Sequence, residues 1–256
     1  MAIMNLTPDS FYANSRMESL QKVVDKAGAF IEEGASIIDI GGQSTRPGAI
    51  MISEAEEIER VSGSIESISK VFPTIKVSID TFQSKVAKAA IEVGATIVND
   101  ISCGSFDPEI LEVVAQYKVG YIGMHITGTK DTMHVIPERT DIIEELIHFF
   151  TQKKQLLADK GIQDWIIDPG FGFGKTIQDN FRIIKDLRKL AIIQLPILIG
   201  VSRKSSIYKT LGISAEEALN GTTVVNTIAL KNGASILRVH DVKESRQAIT
   251  LMEYLQ

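Results

Sequence analysis

The sequence predicts an α/β protein, a (β/α)8 TIM barrel formed by a single domain of residues 1–256. Short apolar runs alternate eight times with longer stretches of helical period, and about 250 residues is the usual length of such a barrel. The connections from strand to helix are longer and more polar than the return connections, as they are at the functional end of a barrel. A doubly wound parallel sheet is the alternative.

The predicted strands are short clusters of β-branched and aliphatic residues. They are AIMNL, SIIDI, KVSID, TIVND, GYIGMH, WIIDP, PILIGV and SILRVH. A helical pattern follows each strand, for example at residues 18–33, 53–72, 83–93 and 243–255. Glycine or proline stands shortly before many of the strands, which predicts short turns at the helix ends. Since no linker or low-complexity stretch divides the chain, we expect one domain.

Composition and charge argue against several classes of function. The net charge of -5, without any run of Lys or Arg, argues against a nucleic acid or an anionic membrane as the partner. No apolar stretch is long enough to span a membrane, and the N-terminus does not resemble a signal peptide. The single cysteine, Cys103, excludes an internal disulfide and fits a reducing compartment. We therefore expect a cytoplasmic protein with small-molecule ligands.

A glycine-rich loop follows the sixth predicted strand, with the sequence DPGFGFGKT at residues 168–176. It is not a P-loop, because Pro169 stands where that motif requires its first glycine. The acid at the strand end, the glycines and the two phenylalanines predict a loop whose backbone approaches a ligand between aromatic walls. A flexible connection without a ligand is the alternative.

Polar side chains share the parity of inward-facing residues at the carboxyl ends of several predicted strands. They are Asn5, Ser78, Asp80, Asn99, Asp168, Arg238 and His240. Two carboxylates and an amide suit a planar ring that presents N–H donors. The basic side chains of Arg238 and His240, with Arg46 and Lys204 from the loops, suit a polyanion.

Each of these residues also has a structural explanation. Asp80 or Asp168 could cap the following helix, and Asn99 could stabilise a turn. His240 could pair with Asp241, and Arg238 could bridge to a carboxylate at the rim. The functional interpretation rests on their convergence.

The residues do not favour zinc or a covalent mechanism. The four histidines lack the spacing of a zinc site, and neither DSFYA nor GVSRKSS forms a nucleophile elbow. If a metal takes part, Mg²⁺ held largely by substrate phosphates and water is the better expectation.

Taken in order, the motifs resemble those of the dihydropteroate synthase family. They are NLTPDSF, IIDIGGQSTRPGA, VSIDT, VNDIS, GMH, DPGFGFGK, GVSRKS and RVHDVKE, which cover essentially the whole chain. The resemblance implies a homodimeric TIM barrel that joins 6-hydroxymethyl-7,8-dihydropterin diphosphate to p-aminobenzoate, releasing pyrophosphate. It implies no nucleic-acid or membrane partner.

The resemblance also implies a role for each matching residue. The pterin would contact Asp80, Asn99, Ile101, Met124, Asp168, Phe173, Gly200 and Lys204. The diphosphate would contact Asn5, Thr45, Arg46, Arg238 and His240, with Asn5 also a ligand of Mg²⁺. p-Aminobenzoate would lie against Thr45, Arg46, Pro47, Phe173, Lys204 and Ser205. Arg46, Lys204, Arg238 and His240 would be the catalytic residues.

The sequence departs from the family pattern at four places. Gln43 replaces the usual glutamate, FYANS replaces FSDGG, HITGTKDTMH lacks a proline, and a leading segment is missing before the first strand. Two alternatives remain: a related barrel that transfers a methyl group from methyltetrahydrofolate, and a non-catalytic pterin-binding paralogue. The first has no use for basic residues around a diphosphate, and the second should lose Arg46 or Lys204.

Overall fold

The computed structural model describes residues 1–6, 16–44 and 48–255. The described chain forms two compact units, Met1–Tyr121 and Ile122–Gln256. Strands and helices alternate along both units, as the sequence predicts. None of the helices in the described ranges is long and apolar enough to cross a membrane. The prediction of a single domain stays a prediction.

The first unit contains four complete β/α repeats. Its elements are β1 (Ala2–Asn5), α1 (Arg16–Glu32), β2 (Ile37–Gly41), α2 (Glu54–Val71), β3 (Lys76–Asp80), α3 (Ser84–Glu92), β4 (Ile97–Asp100) and α4 (Glu109–Tyr117). The four strands pair in parallel in the order β1-β2-β3-β4. β5 (Gly120–Met124) begins in this unit and ends in the next.

The second unit continues the alternation. Its elements are α5 (Ile142–Asp159), β6 (Ile166–Asp168), α6 (Ile177–Asp186), a 3-10 helix (Leu187–Ile193), β7 (Leu198–Ile199), α7 (Ser205–Leu211), α8 (Leu219–Lys231), β8 (Ile236–Leu237) and α9 (Val242–Glu253). β5 pairs with β6 and β7 pairs with β8, both in parallel.

The predicted elements are present with small differences in their ends. Two helices, α7 and α8, stand between β7 and β8 where a single helical pattern was expected. The break has a local cause, because Gly212 adopts a left-handed conformation with φ of 68° and ends α7.

Strand residues of the first unit are buried on both faces of the sheet. Ile38, Ile40, Val77, Ile79 and Val98 are at most 1% exposed and contribute to its apolar core. The residues between them point to the opposite face, because side chains alternate along a strand. On that second face Asp39 and Ser78 are also buried, whereas Asn5 and Asp80 at the strand ends keep some exposure.

Asp100 organises the turn that follows β4. Its carboxylate is fully buried and accepts four hydrogen bonds, from the backbone N–H and hydroxyl of Ser102, the N–H of Gly104 and the hydroxyl of Tyr121. Burial raises the pKa of Asp100, and the four donors oppose this effect. Cys103 lies buried within the same turn, as expected for a small loop residue.

We predict that Asp100→Ala lowers the free energy of unfolding by about 3 to 5 kcal/mol, because several buried donors lose their acceptor together. Tyr121→Phe removes one donor from the same carboxylate and should cost about 1 kcal/mol. Urea unfolding followed by circular dichroism measures both variants. Equal losses in the two variants would mean that the carboxylate does not organise the turn.

Candidate active site

Four residues form one row across the parallel strands of the first unit. Asn5 pairs with Gly41, Gly41 with Asp80, and Asp80 with Asn99. Side chains in such a row point to the same face of the sheet. The register therefore places Asn5, Asp80 and Asn99, three of the predicted site residues, side by side at the carboxyl ends of their strands.

Gly41 contributes no side chain to this row, and polar atoms of both neighbouring residues lie close to it. A Cβ atom built on Gly41 would lie 3.6 Å from Asn5 Oδ1 and 3.6 Å from Asp80 Oδ2. The side chains of Asn5 and Asp80 thus approach the same point from two strands. Asn5 is exposed and Asp80 is partly exposed, so both can meet a ligand.

Asn99 is oriented by a buried acid that the sequence analysis left without a role. Asn99 Nδ2 donates a 3.1 Å hydrogen bond to Oδ2 of Asp39, which is fully buried. An amide whose nitrogen is bound in this way presents its oxygen on the other side as an acceptor. Asp39 and Ser78 are themselves paired in the register, one row below Asp80. The inward parity of Asp39 was the signal for this contact. Ile101 lies buried in the turn after Asn99.

Gln43 bridges the two ends of the loop after β2. Its Oε1 accepts from the N–H of Ile52 at 2.8 Å, and its Nε2 donates to the carbonyls of Ser44 and Ile50 at 2.7 and 3.2 Å. An ionised glutamate could not donate these two bonds, so this departure from the family pattern has a local structural use. Thr45, Arg46 and Pro47, predicted as site residues, lie outside the described residues.

The capping explanation of Asp80 and Asp168 is wrong. The N-cap of α3 is Gln83 and the N-cap of α6 is Thr176, whose hydroxyl accepts from the N–H of Asp179. Asp168 instead accepts a 2.7 Å hydrogen bond from the N–H of Gly170 within the loop. Its Cα is paired in the register with Met124, another predicted site residue, which is buried at the end of β5.

Positive charges face Asp168 from several sides. Burial raises the pKa of Asp168, whereas Lys204, the Gly170 N–H, Arg238 and Lys175 act in the opposite direction. These opposing charges favour the ionised form that can accept hydrogen bonds from a ligand.

Lys204 lies against the glycine-rich loop. Its Nζ donates to the Phe171 carbonyl and stands 4.8 Å from the centre of the Phe173 ring. Lys204 is also the N-cap residue of α7, which begins at Ser205. The predicted residues Phe173, Lys204 and Ser205 are thus part of one surface that is only partly exposed.

Arg238 and His240 extend from the end of β8. The side chain of Arg238 passes over Gly200, where an added Cβ would lie 3.8 Å from Arg238 Cβ. His240 is exposed, and its Nδ1 is 3.0 Å from the hydroxyl of Ser202. The expected alternative partner of His240 is engaged elsewhere, because Asp241 forms a two-bond ion pair with Arg203 at 2.9 and 2.8 Å.

Two basic residues of the second unit were missed by the sequence analysis. Lys175, the last residue of the DPGFGFGK motif, is buried and donates to backbone carbonyls of that loop. Arg139 joins Glu145, Asp179 and the Gly174 carbonyl at 3.0, 3.1 and 2.9 Å. The position of Lys175 within the motif was a usable signal. The position of Arg139, within a long loop, gave no usable signal in the sequence.

The described residues offer hydrogen-bond acceptors and cations, and no preformed metal cluster. No group of three or more His, Cys, Asp or Glu residues in the described ranges could hold a metal ion. Asn5 is an exposed residue, and its amide oxygen is a ligand type that suits a hard cation taking its remaining ligands from a substrate and water. The first unit presents acceptors for N–H groups. The second unit, taken by itself, presents an acid, Asp168, near cations.

Comparisons with known proteins agree on one family. The profile of the pterin binding enzymes matches residues 1–240. A dihydropteroate synthase from Synechocystis sp. is 41% identical over 258 residues, which cover 100% of this chain and 89% of the relative.

Two solved structures have the same fold. A Clostridium difficile dihydropteroate synthase, crystallised in the presence of pteroic acid, is 33% identical with a TM-score of 0.93 over 100% of this chain and 95% of the other. A Xanthomonas albilineans dihydropteroate synthase with 4-aminobenzoic acid is 35% identical with a TM-score of 0.90 over 100% and 92%. The predicted (β/α)8 barrel fold class is confirmed by this likeness.

We predict that Gly170→Ala destabilises the second unit by about 2 to 4 kcal/mol, through backbone strain and steric overlap together. Gly170 has a φ of 70°, and an added Cβ would lie 2.1 Å from the His125 carbonyl oxygen. Gly161→Ala is the matched control, since Gly161 has a φ of 82° with open space around it, and should cost about 1 kcal/mol. Urea unfolding compares them. Equal losses would contradict close contact between the loop and His125.

Proposed function

The chain belongs to the pterin binding enzyme family, and we propose that it catalyses the reaction of dihydropteroate synthase. This reaction joins 6-hydroxymethyl-7,8-dihydropterin diphosphate to p-aminobenzoate, giving 7,8-dihydropteroate and pyrophosphate in folate synthesis. The resemblance recognised from the sequence motifs is confirmed. The observation that carries the proposal within this chain is the row of Asn5, Asp80 and Asn99 at neighbouring strand ends.

The pterin ring is assigned to hydrogen-bond acceptors at the ends of strands. The carboxylates of Asp80 and Asp168 accept hydrogen bonds from its amino and ring N–H groups, and the amide of Asn99 adds a third contact. The Asn99 orientation set by Asp39 supports this role, because it turns the amide oxygen away from the acid. The remaining contacts of the ring are assigned to Ile101, Met124, Phe173, Gly200 and Lys204.

The diphosphate is assigned to basic and polar side chains. Arg238 and His240 extend from the end of β8, and Asn5 ends β1. Thr45 and Arg46 complete this set in the sequence. Mg²⁺, with Asn5 as its protein ligand, would supply electrostatic neutralisation of the departing pyrophosphate.

p-Aminobenzoate is assigned to the surface beside the glycine-rich loop. Phe173, Lys204 and Ser205 form its described part, and Thr45, Arg46 and Pro47 are assigned to it from their place in the STRP motif. A cation beside an aromatic ring suits an aromatic carboxylate, because the ring can stack and the charge can pair.

The reaction is a displacement at the exocyclic methylene carbon of the pterin. The carbon–oxygen bond to the diphosphate breaks early and its electron pair leaves with pyrophosphate. The amino nitrogen of p-aminobenzoate then forms the carbon–nitrogen bond and loses a proton to water. Arg46, Lys204, Arg238 and His240 are the catalytic residues, since positive charge stabilises the leaving group as its own charge develops. No protein nucleophile is required.

Two features support a cytoplasmic homodimer. Val224 and Ile228 on α8 and Leu251 on α9 are 50%, 42% and 66% exposed, and these two helices pack against each other. Exposed apolar side chains on two neighbouring helices suit an interface with a second copy of the chain, which closes by two-fold symmetry. The buried free Cys103 suits a reducing compartment.

The proposed function predicts that the purified chain releases pyrophosphate from the pterin diphosphate only when p-aminobenzoate and Mg²⁺ are both added. Asp80→Ala and Asp168→Ala should each weaken binding of 6-hydroxymethylpterin by about 10- to 100-fold, because each removes a charge-assisted hydrogen bond. Calorimetric titration of the folded variants measures this loss. Binding of methyltetrahydrofolate without pyrophosphate release would favour the methyltransferase alternative, and pterin binding without any turnover would favour the paralogue.

The diphosphate assignment predicts a different result for Arg238→Ala and His240→Ala. Each should reduce turnover by about 10- to 1,000-fold, and binding of 6-hydroxymethylpterin, which lacks the diphosphate, should stay nearly unchanged. Arg188→Ala is the control, because Arg188 is an exposed arginine that donates to the Lys231 carbonyl. Equal losses for ligands with and without the diphosphate would contradict the assignment.

A further inference from the structure

Lys175 is buried behind the glycine-rich loop, residues 169–174, and holds it by its backbone. Only 6% of Lys175 is exposed. Its Nζ donates to the carbonyls of Gly170 at 2.9 Å, Phe173 at 3.0 Å and His125 at 3.5 Å. An ammonium group has three N–H donors, so these three carbonyl oxygens can use all of them.

The backbone that Lys175 holds includes residues assigned to the pterin. The loop begins directly after Asp168, and Phe173 belongs to it. His125, the third carbonyl partner, also donates its N–H to the Asp168 carbonyl at 2.8 Å. The bonds of Lys175 therefore fix both sides of the backbone turn that carries Asp168.

We propose that Lys175 is a positioning residue that holds Asp168 and Phe173 in the pterin-binding arrangement only while its amine is protonated, so that pterin affinity falls as the pH rises. This inference rests on the proposed function. A neutral amine has two N–H donors and a lone pair, which would face a carbonyl oxygen and repel it. Loss of the ammonium also removes a positive charge that favours ionised Asp168.

The charges around Lys175 place its titration in the neutral range. Burial lowers the pKa of Lys175 to about 7, and Arg139 and Lys204 also lower it, whereas Asp168 and Glu145 raise it. Both forms of the amine are then populated near neutral pH.

Two other titratable groups near Lys175, His125 and Glu145, keep their protonation state over this range. Burial lowers the pKa of His125 to about 4, so its ring is neutral. Contact with the His125 ring, whose Nε2 is 3.2 Å from Glu145 Oε1, lowers the pKa of Glu145, which is therefore anionic.

The sign of the pH dependence follows from linkage. The protonated form predominates below the pKa of Lys175 and binds the pterin more tightly, so ligand binding must raise that pKa. Affinity is therefore highest at low pH, falls as the pH rises through about 7, and levels off once the bound form has also lost its proton.

The test is to measure binding of 6-hydroxymethylpterin at a series of pH values from about 6 to about 8.5. This range brackets the neutral pH at which Lys175 should lose its proton. Wild-type affinity should fall about tenfold, the effect of one lost hydrogen bond. The Lys175→Met variant should bind the pterin weakly at every pH and should not show this fall in affinity. The Lys175→Arg variant should restore affinity at high pH, because arginine stays charged. Lys154→Met is the matched control, since Lys154 donates to the Ile193 carbonyl at 2.6 Å, outside the loop.

A second measurement keeps the inference testable if the Lys175 variants fail to fold. Carbon-13 labelling of the lysine ε-carbons in the wild-type protein should give one resonance that titrates near pH 7 and moves to higher pH on adding the pterin. No lysine titrating below about pH 9, together with a wild-type pterin affinity that stays constant from about pH 6 to about pH 8.5, would overturn the inference. Absence of pterin binding at every pH would instead contradict the proposed function.

Discussion

The parallel register of β1 to β4 is the constraint on which the site of the first unit depends. Each strand contributes one residue to the row of Asn5, Gly41, Asp80 and Asn99. A shift of one residue in any pairing would turn that strand's side chain to the opposite face. The apolar residues between these positions, such as Ile40 and Ile79, are buried on that opposite face, so the core and the site are fixed by the same register.

The polar groups of this row are held in place by a second set of buried polar groups. Asp39 orients Asn99, and Asp100, the next residue, organises the turn beyond it. These acids are fully buried, which costs free energy unless donors surround the charge. The donors are backbone N–H groups, hydroxyls and an amide, so the arrangement is rigid before any ligand binds. Such prior order lowers the entropic cost of binding.

The second unit uses a different device, in which cations support its acid in addition to one neutral donor, the Gly170 N–H. Lys204, Arg238 and Lys175 all favour the ionised form of Asp168 against the effect of burial. Backbone carbonyls hold Lys175, and burial lowers its pKa to about 7. The same burial that makes Lys175 an effective support for the loop therefore makes its charge sensitive to pH.

The sequence by itself determined the alternation of strands and helices, the fold class and the family, because hydrophobic period and motif order are local properties of the chain. It also determined which strand-end residues share a face, since side-chain parity follows from the strand period. The structure alone decided that Gln83 and Thr176, rather than Asp80 and Asp168, occupy the N-cap positions of these helices, and that Asp241 pairs with Arg203. It alone decided the partners of Asp39 and Lys175 as well. Those contacts join residues far apart in the chain or depend on the path of a loop, and burial and partner geometry arise only when the folded backbone brings the groups together.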